Sequence, residues 1–179
     1  MNLICRITDK DIGEEAIEMK EPRIRLAARG IVIRYDGKVA IFHKRNKNEY
    51  KLPGGGIDAD ETPKQAFERE VLEETGCRVE KIEALGLTEE YKTLSNFKQT
   101  SYIFWGRVKE DTRKLGLTEK ERNEGGELIW EEPSKALELI SNCYDELIGS
   151  IYDSIYGTKF IVLRDRRILE YFIKEEMNK

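Results

Sequence analysis

The sequence predicts an α+β fold on a mixed β-sheet, and three observations predict it. Apolar, β-branched runs come first, a punctuated helix follows, strands return, and helices close the chain, which is the order of an α+β domain. An Asp36-Gly37 pair lies between two runs rich in Ile, Val and Ala, a strong hairpin signal. Thr62-Pro63-x-Gln65 opens a helix and Gly76 closes it. At 179 residues the chain has the length of one domain with a terminal extension.

In chain order, residues 1–22 read as an N-terminal extension able to form a strand and a turn, and 23–179 as the domain proper. Residues 24–34 and 39–45 are the two arms of the hairpin. Residues 63–75 form the first helix: Thr62 caps it, Pro63 suits the first helical position and Gln65 completes a capping box. Residues 78–91 and 97–108 are further strands, with Ser95-Asn96 near their turn. Residues 127–132, carrying Trp130, give one more short strand. A second helix is expected over about 134–142, after Pro133 and with Ser134 as its cap. A third is expected over about 159–175, with further helix between 144 and 156. Ile161, Ile168 and Phe172 share one face of that last helix, and Arg164, Asp165, Arg166 and Arg167 read as its polar face.

Composition narrows the function classes. Lys and Arg number 31 against 35 Asp and Glu, a net charge of −4, whereas a general nucleic-acid binder would show a clustered basic surplus. Cys5, Cys77 and Cys143 are odd in number and far apart, which excludes a simple disulfide framework and favours a reducing compartment. A single histidine, His43, excludes a His-cluster zinc site. No apolar run approaches the roughly 20 residues of a membrane span, and Met1–Lys10 lacks a secretory apolar stretch. A soluble, cytoplasmic protein with no membrane partner is the expectation.

The chemistry concentrates between residues 54 and 77. Glu70, Glu73 and Glu74 stand at i, i+3 and i+4, so their carboxylates share one helical arc and repel. Two lie in the last turn, where the helix dipole disfavours negative charge. A hard divalent cation would neutralise such a cluster, carboxylates being ligands that Mg²⁺ or Mn²⁺ prefers. Gly54-Gly55-Gly56 precede the helix and permit close backbone approach to a ligand; a flexible loop is the other reading of glycines alone.

Taken together, Gly55, Glu61, Arg69-Glu70-Val71-x-Glu73-Glu74-x-Gly76 and Cys77 form a 23-residue pattern that resembles the box of the Nudix hydrolase family, of the MutT type. Cys77 departs from it, since an Ile, Leu or Val usually stands there. The resemblance implies an α/β/α sandwich with a mixed sheet. It implies that Glu73 and Glu74 ligate metal, that Glu70 binds metal or orients water, that Arg69 holds the box carboxylates, that Glu61 stabilises the loop–helix geometry and that the Gly54 carbonyl is a further ligand. The usual reaction is hydrolysis of a phosphoanhydride in a nucleoside diphosphate linked to another group, with Mg²⁺, or Mn²⁺, as cofactor.

Relatives often take one more base or ligand from a distant loop. Here Glu121, Glu124 and Glu127 are the candidates; Glu124 is favoured because Gly125-Gly126 would let the loop bend toward the box helix. Lys44, Arg45, Gly55 and Gly56 are candidates for substrate contact. Among the family's subgroups, elimination leaves a resemblance to the small MutT-type branch, which implies a nucleoside triphosphate as substrate, damaged ones included. The competing readings are hydrolysis of ADP-ribose or dinucleoside polyphosphates, and a non-catalytic Nudix-fold sensor of a nucleotide or sugar. A homodimer is left open, as Nudix relatives often form one.

Overall fold

A computed structural model describes residues 1–177. Its frame is a sheet of eight strands among those residues: β1 (Leu3–Thr8), β2 (Arg23–Ile33), β3 (Val39–Lys44), β4 (Glu49–Lys51), β5 (Gly54–Gly56), β6 (Cys77–Lys92), β7 (Phe97–Asp111) and β8 (Gly126–Glu131). The main path runs β1-β6-β7-β2-β3-β4, with β5 paired to β2 and β8 to β3. The β1–β6 and β2–β7 pairs are parallel and the others antiparallel, so the sheet is mixed. Four α-helices lie around it: α1 (Pro63–Thr75), α2 (Glu119–Asn123), α3 (Pro133–Asn142) and α4 (Ile155–Glu175).

Alternation along the strands sorts the core into two layers. From β2 and β3, Ala28, Val32 and Ala40 face α1 and pack with its Ala66, Phe67 and Val71. Ile31, Ile33, Val39 and Ile41 face the other way, onto α3 and α4 through Ile140, Ile168, Leu169 and Phe172. Helix, sheet and helix thus form a three-layer α/β/α sandwich, the architecture the box implied.

Local signals explain the boundaries. Gly37 takes φ +86° in the Asp36-Gly37 turn, and Asn96 takes φ +48° between β6 and β7. Thr62 accepts the Gln65 N–H while the Gln65 carboxamide accepts the Thr62 N–H, and Gly76 ends α1 in the left-handed region. The second helix differs from expectation at its start: Glu132 is its N-cap residue, Pro133 is its first residue, and Ser134 lies inside. The last helix begins four residues earlier than expected because Ser154 caps it, accepting the Gly157 N–H. The segment 144–156 contains only one 3₁₀ turn, Cys143–Glu146, before that cap. Arg164 and Asp165 are buried, not part of a polar surface. They pair with each other at 2.7 Å and face a polar stretch of the sheet. No helix of the described residues is long and apolar enough to cross a membrane.

Candidate active site

The site is a cavity of about 470 Å³ between the sheet and the first half of α4, open beside α1. It exists because the sheet is polar there. Arg23, Arg25 and Arg29 share one face of β2. On β7, Phe97 and Gln99 stand in register beside Arg23 and Arg25, and Ser101 beside Ala27; beyond those, on β6, stand Lys92, Glu90 and Thr88. Across the gap stand Gly157, Ile161 and Arg164 of α4, spaced along one helical face. Farther down, the same strands turn apolar and α4 closes onto them.

At one end of the cavity are the α1 carboxylates. Arg69 binds them together, with its guanidinium 2.8 Å from Glu70, 3.4 Å from Glu73 and 2.6 Å from Glu61, and donating to the Gly56 carbonyl at 2.9 Å. Glu61 also accepts the Asp58 N–H, which pins the loop before α1. Burial, and then the neighbouring Glu70 charge, push the Glu73 acid above the ordinary carboxylate value. Glu74 is almost fully buried, and burial pushes its acid up too. The Lys51 ammonium at 2.6 Å and the Gly54 N–H at 2.8 Å oppose that rise.

Glycine is required where α1 meets β5. Gly54 adopts φ +143°, and a Cβ there would lie 2.2 Å from that of Arg29. A Cβ on Gly55 would lie 2.4 Å from the Glu70 carboxylate. The glycine run is therefore a short strand on which an acidic helix end and an arginine-bearing strand both close, not a flexible loop.

The donor set suits a hard dication. All the groups are oxygens, and one cation, the Lys51 ammonium, already sits against Glu74 Oε1 and 3.4 Å from the Gly54 carbonyl. Among the described residues no three acidic, histidine or cysteine side chains converge closely enough to hold an ion unaided. Mg²⁺ tolerates that, because it usually binds through one or two carboxylates plus water and substrate phosphate oxygens.

Glu70, Glu73, Glu74, Arg69, Gly54, Gly55, Gly56 and Lys44 all line the cavity. Glu124 and Arg45 do not. Glu124 is buried behind the rim, where Lys44 at 2.8 Å and the Ser150 hydroxyl at 2.7 Å hold it. Burial alone would raise the Glu124 acid, but those two contacts bring it below the ordinary value. Arg45 points outward, 3.9 Å from Glu127, whose other oxygen meets His43. The rim acid that lines the cavity is Glu121. It sits on the short helix α2, and its carboxylate accepts the Thr118 N–H in a capping box. Thr118-x-x-Glu121 was a readable capping signal. The arginine face of β2 was readable as well, since Arg23, Arg25 and Arg29 alternate with Ile24, Leu26 and Ala28 at the strand period.

Comparison with known proteins places this geometry in a family. The NUDIX domain model matches residues 23–148, and the chain belongs to the Nudix family. It is 31% identical over 123 residues to a MutT-like protein of Streptomyces ambofaciens, covering 69% of this chain and 73% of that one. It is 32% identical over 163 residues to an RNA pyrophosphohydrolase of Sulfurovum sp. (strain NBC37-1), covering 87% and 96%. Some matched relatives are longer: the chain spans 42% of the RNA pyrophosphohydrolase of Stenotrophomonas maltophilia. A solved structure of MutT, from work on Aliivibrio salmonicida and Vibrio cholerae, has a TM-score of 0.48 at 18% identity, covering 64% of this chain and 82% of that one. The chain is thus a Nudix hydrolase, an enzyme acting on phosphorus-containing anhydrides, in a family that generally uses divalent metals.

Proposed function

We propose that this enzyme uses Mg²⁺, with Mn²⁺ able to replace it, to split a phosphoanhydride of a nucleoside triphosphate, damaged ones included. The observation that carries the reading is a single cavity holding Glu70, Glu73 and Glu74 at one end and a surplus of cationic side chains at the other. Glu70, Glu73, Glu74 and the Gly54 carbonyl would hold the ion. Once bound, the ion supplies charge screening at phosphorus and a more acidic water.

The chain's own groups do the rest. Arg69 fixes Glu70 and Glu73 against Glu61, so both carboxylates keep their direction as charge builds on the substrate. Gly55 and Gly56 let the Glu70 carboxylate and the Arg25 guanidinium close onto β5 beside the phosphate chain. Lys120, at the rim, pairs with Asp153 at 2.7 Å, and Glu121 beside it is the distant acid able to accept a proton. Lys44 lines the cavity as well and pairs with Glu124 at 2.8 Å.

The test is a panel of nucleoside triphosphates, ADP-ribose, dinucleoside polyphosphates and nucleotide sugars, assayed with Mg²⁺ and with Mn²⁺. The triphosphates should turn over best. Glu73→Gln should lower turnover on the order of 100-fold while the fold stays intact by circular dichroism. Full metal-dependent turnover by that variant would refute the role given to Glu73. A second reading, the 5′-triphosphate end of an RNA, is favoured by the extent of the match to the Sulfurovum relative. A 5′-triphosphorylated oligonucleotide added to the panel separates it from the free nucleotide.

A further inference from the structure

Arg29 is a buried arginine, 4% exposed, that lines the cavity. It makes no ion pair among the described residues. Its one side-chain hydrogen bond is a long one, from Nε to the Ser101 hydroxyl at 3.4 Å. The acids nearest in effect, Asp165 and Glu90, are already engaged: Arg164 pairs with Asp165 at 2.7 Å and with Glu90 at 3.1 Å, and Lys92 pairs with Glu90 at 3.1 Å. Arg29, Arg164 and Lys92 thus share two carboxylates, leaving one positive charge unmatched. A buried arginine keeps its proton and offers five donors in a fixed fork, so this surplus stays ionised. An unpaired buried charge is costly, and proteins keep one where a ligand supplies the counter-charge.

Its position says which ligand. Arg29 pairs across the sheet with Gly54, one strand spacing (about 4.8 Å) from the residue whose carbonyl and N–H meet Lys51 and Glu74. Arg25, on the same face of β2, brings its guanidinium against Gly56. The two arginines flank β5, with Glu70 behind Gly55.

We propose that Arg29, assisted by Arg25, forms an anion subsite for a third phosphate next to the anhydride held at the acidic end, so that the site selects a linear triphosphate. The subsite rests on the catalytic reading above for its purpose, though not for its existence. A diphosphate-linked substrate such as a nucleotide sugar carries both phosphates at the scissile anhydride. It would set a neutral sugar against Arg29 and leave the charge unmet. A triphosphate supplies one more dianionic group, and the planar fork of arginine binds two of its oxygens at once.

Binding of inorganic tripolyphosphate and of pyrophosphate to the full chain, measured by calorimetry in EDTA, tests this without turnover. Arg29→Met should weaken tripolyphosphate about 10-fold or more and pyrophosphate less, in line with a lost charge-assisted bidentate contact. Arg29→Lys, which keeps the charge and loses the fork, should fall between and serves as the readout if the methionine variant fails to fold. In steady state, Arg29→Met should raise KM for the best nucleoside triphosphate by a similar factor with kcat nearly unchanged, and leave KM for a nucleotide sugar alone. Tripolyphosphate affinity within about twofold of wild type in a folded variant overturns the subsite. If triphosphates are hydrolysed with a KM indifferent to Arg29, the subsite falls and the catalytic reading stands. If tripolyphosphate binding depends on Arg29 and no anhydride is split, the catalytic reading falls and the subsite stands.

Discussion

Lys51 neutralises the most deeply buried box acid, Glu74, at 2.6 Å. Lys51→Met strands that carboxylate among apolar and backbone neighbours. Breaking a buried pair from one side costs about 3 kcal/mol. The variant should therefore melt well below wild type, and saturating Mg²⁺ should restore part of the loss by binding the folded state. Thermal melts with and without the ion check this; equal losses in both would mean that Glu74 does not meet the ion. At this scale the sequence was legible wherever a residue acts through its neighbours in the chain. Glu70, Glu73, Glu74, Arg69 and Glu61 sit on one helix and its lead-in, and helical spacing alone brings them together. Lys51, Arg29 and Glu121 are brought in by pairing of distant segments, and spacing cannot show that. Glu124 illustrates the difference: it lies three residues beyond Glu121, and a short helix turns one into the cavity and the other behind it.

The helix α1 gains its position from apolar contacts and its caps. Phe67 is fully buried, stacked on Phe104 of β7 at a centroid distance of 5.5 Å. Phe67→Ala should cost about 3–4 kcal/mol in urea unfolding, through lost burial and the cavity left behind. The metal-free protein should lose stability as much as the metal-bound one, since Phe67 packs in the apolar layer with Ala66, Val71 and Phe104. Thr118→Ala removes the cap of α2, worth about 1 kcal/mol locally. In a five-residue helix that should loosen Glu121 and lower kcat with little change in melting temperature. Elements with both an onset signal and a stop signal were legible, α1 to the residue and the strands of the Asp36-Gly37 hairpin to within one residue at each end. Elements whose cap and apolar pattern disagree were displaced: α3 starts at Pro133 after Glu132, which makes no side-chain cap hydrogen bond, and α4 starts at Ile155 because Ser154 caps it earlier than the apolar pattern indicated. The three-residue strands β4 and β5 have too few residues to show a period, and only their partners define them.

At the scale of the whole molecule, a buried polar cluster joins α4 to β2, β6 and β7. Burial alone would push the Glu90 acid up; Arg164, then Lys92 and Arg29, reverse this and hold it at about 2. The unfolded chain takes up that proton near the ordinary 4.5, so the folded form is favoured above this value and progressively loses the advantage as pH falls toward about 2. Glu90→Gln should be less stable at neutral pH and show a shallower loss between pH 4.5 and 2, read from melts across that range. The sandwich and the arginine stripe of β2 were legible from pattern; the convergence of that stripe with the charges of β6 and α4 was hidden because they come from separate elements. That concealment has a kinetic consequence. The chain as a whole is acidic, at −4, yet arginines and lysines lining the cleft outnumber its acids among the described residues. An approaching polyanion is repelled only weakly at long range, where counter-ions screen within about 8 Å at physiological ionic strength, and is drawn in once it reaches the mouth. Association should accordingly slow as salt is added, the opposite of what the overall charge would dictate.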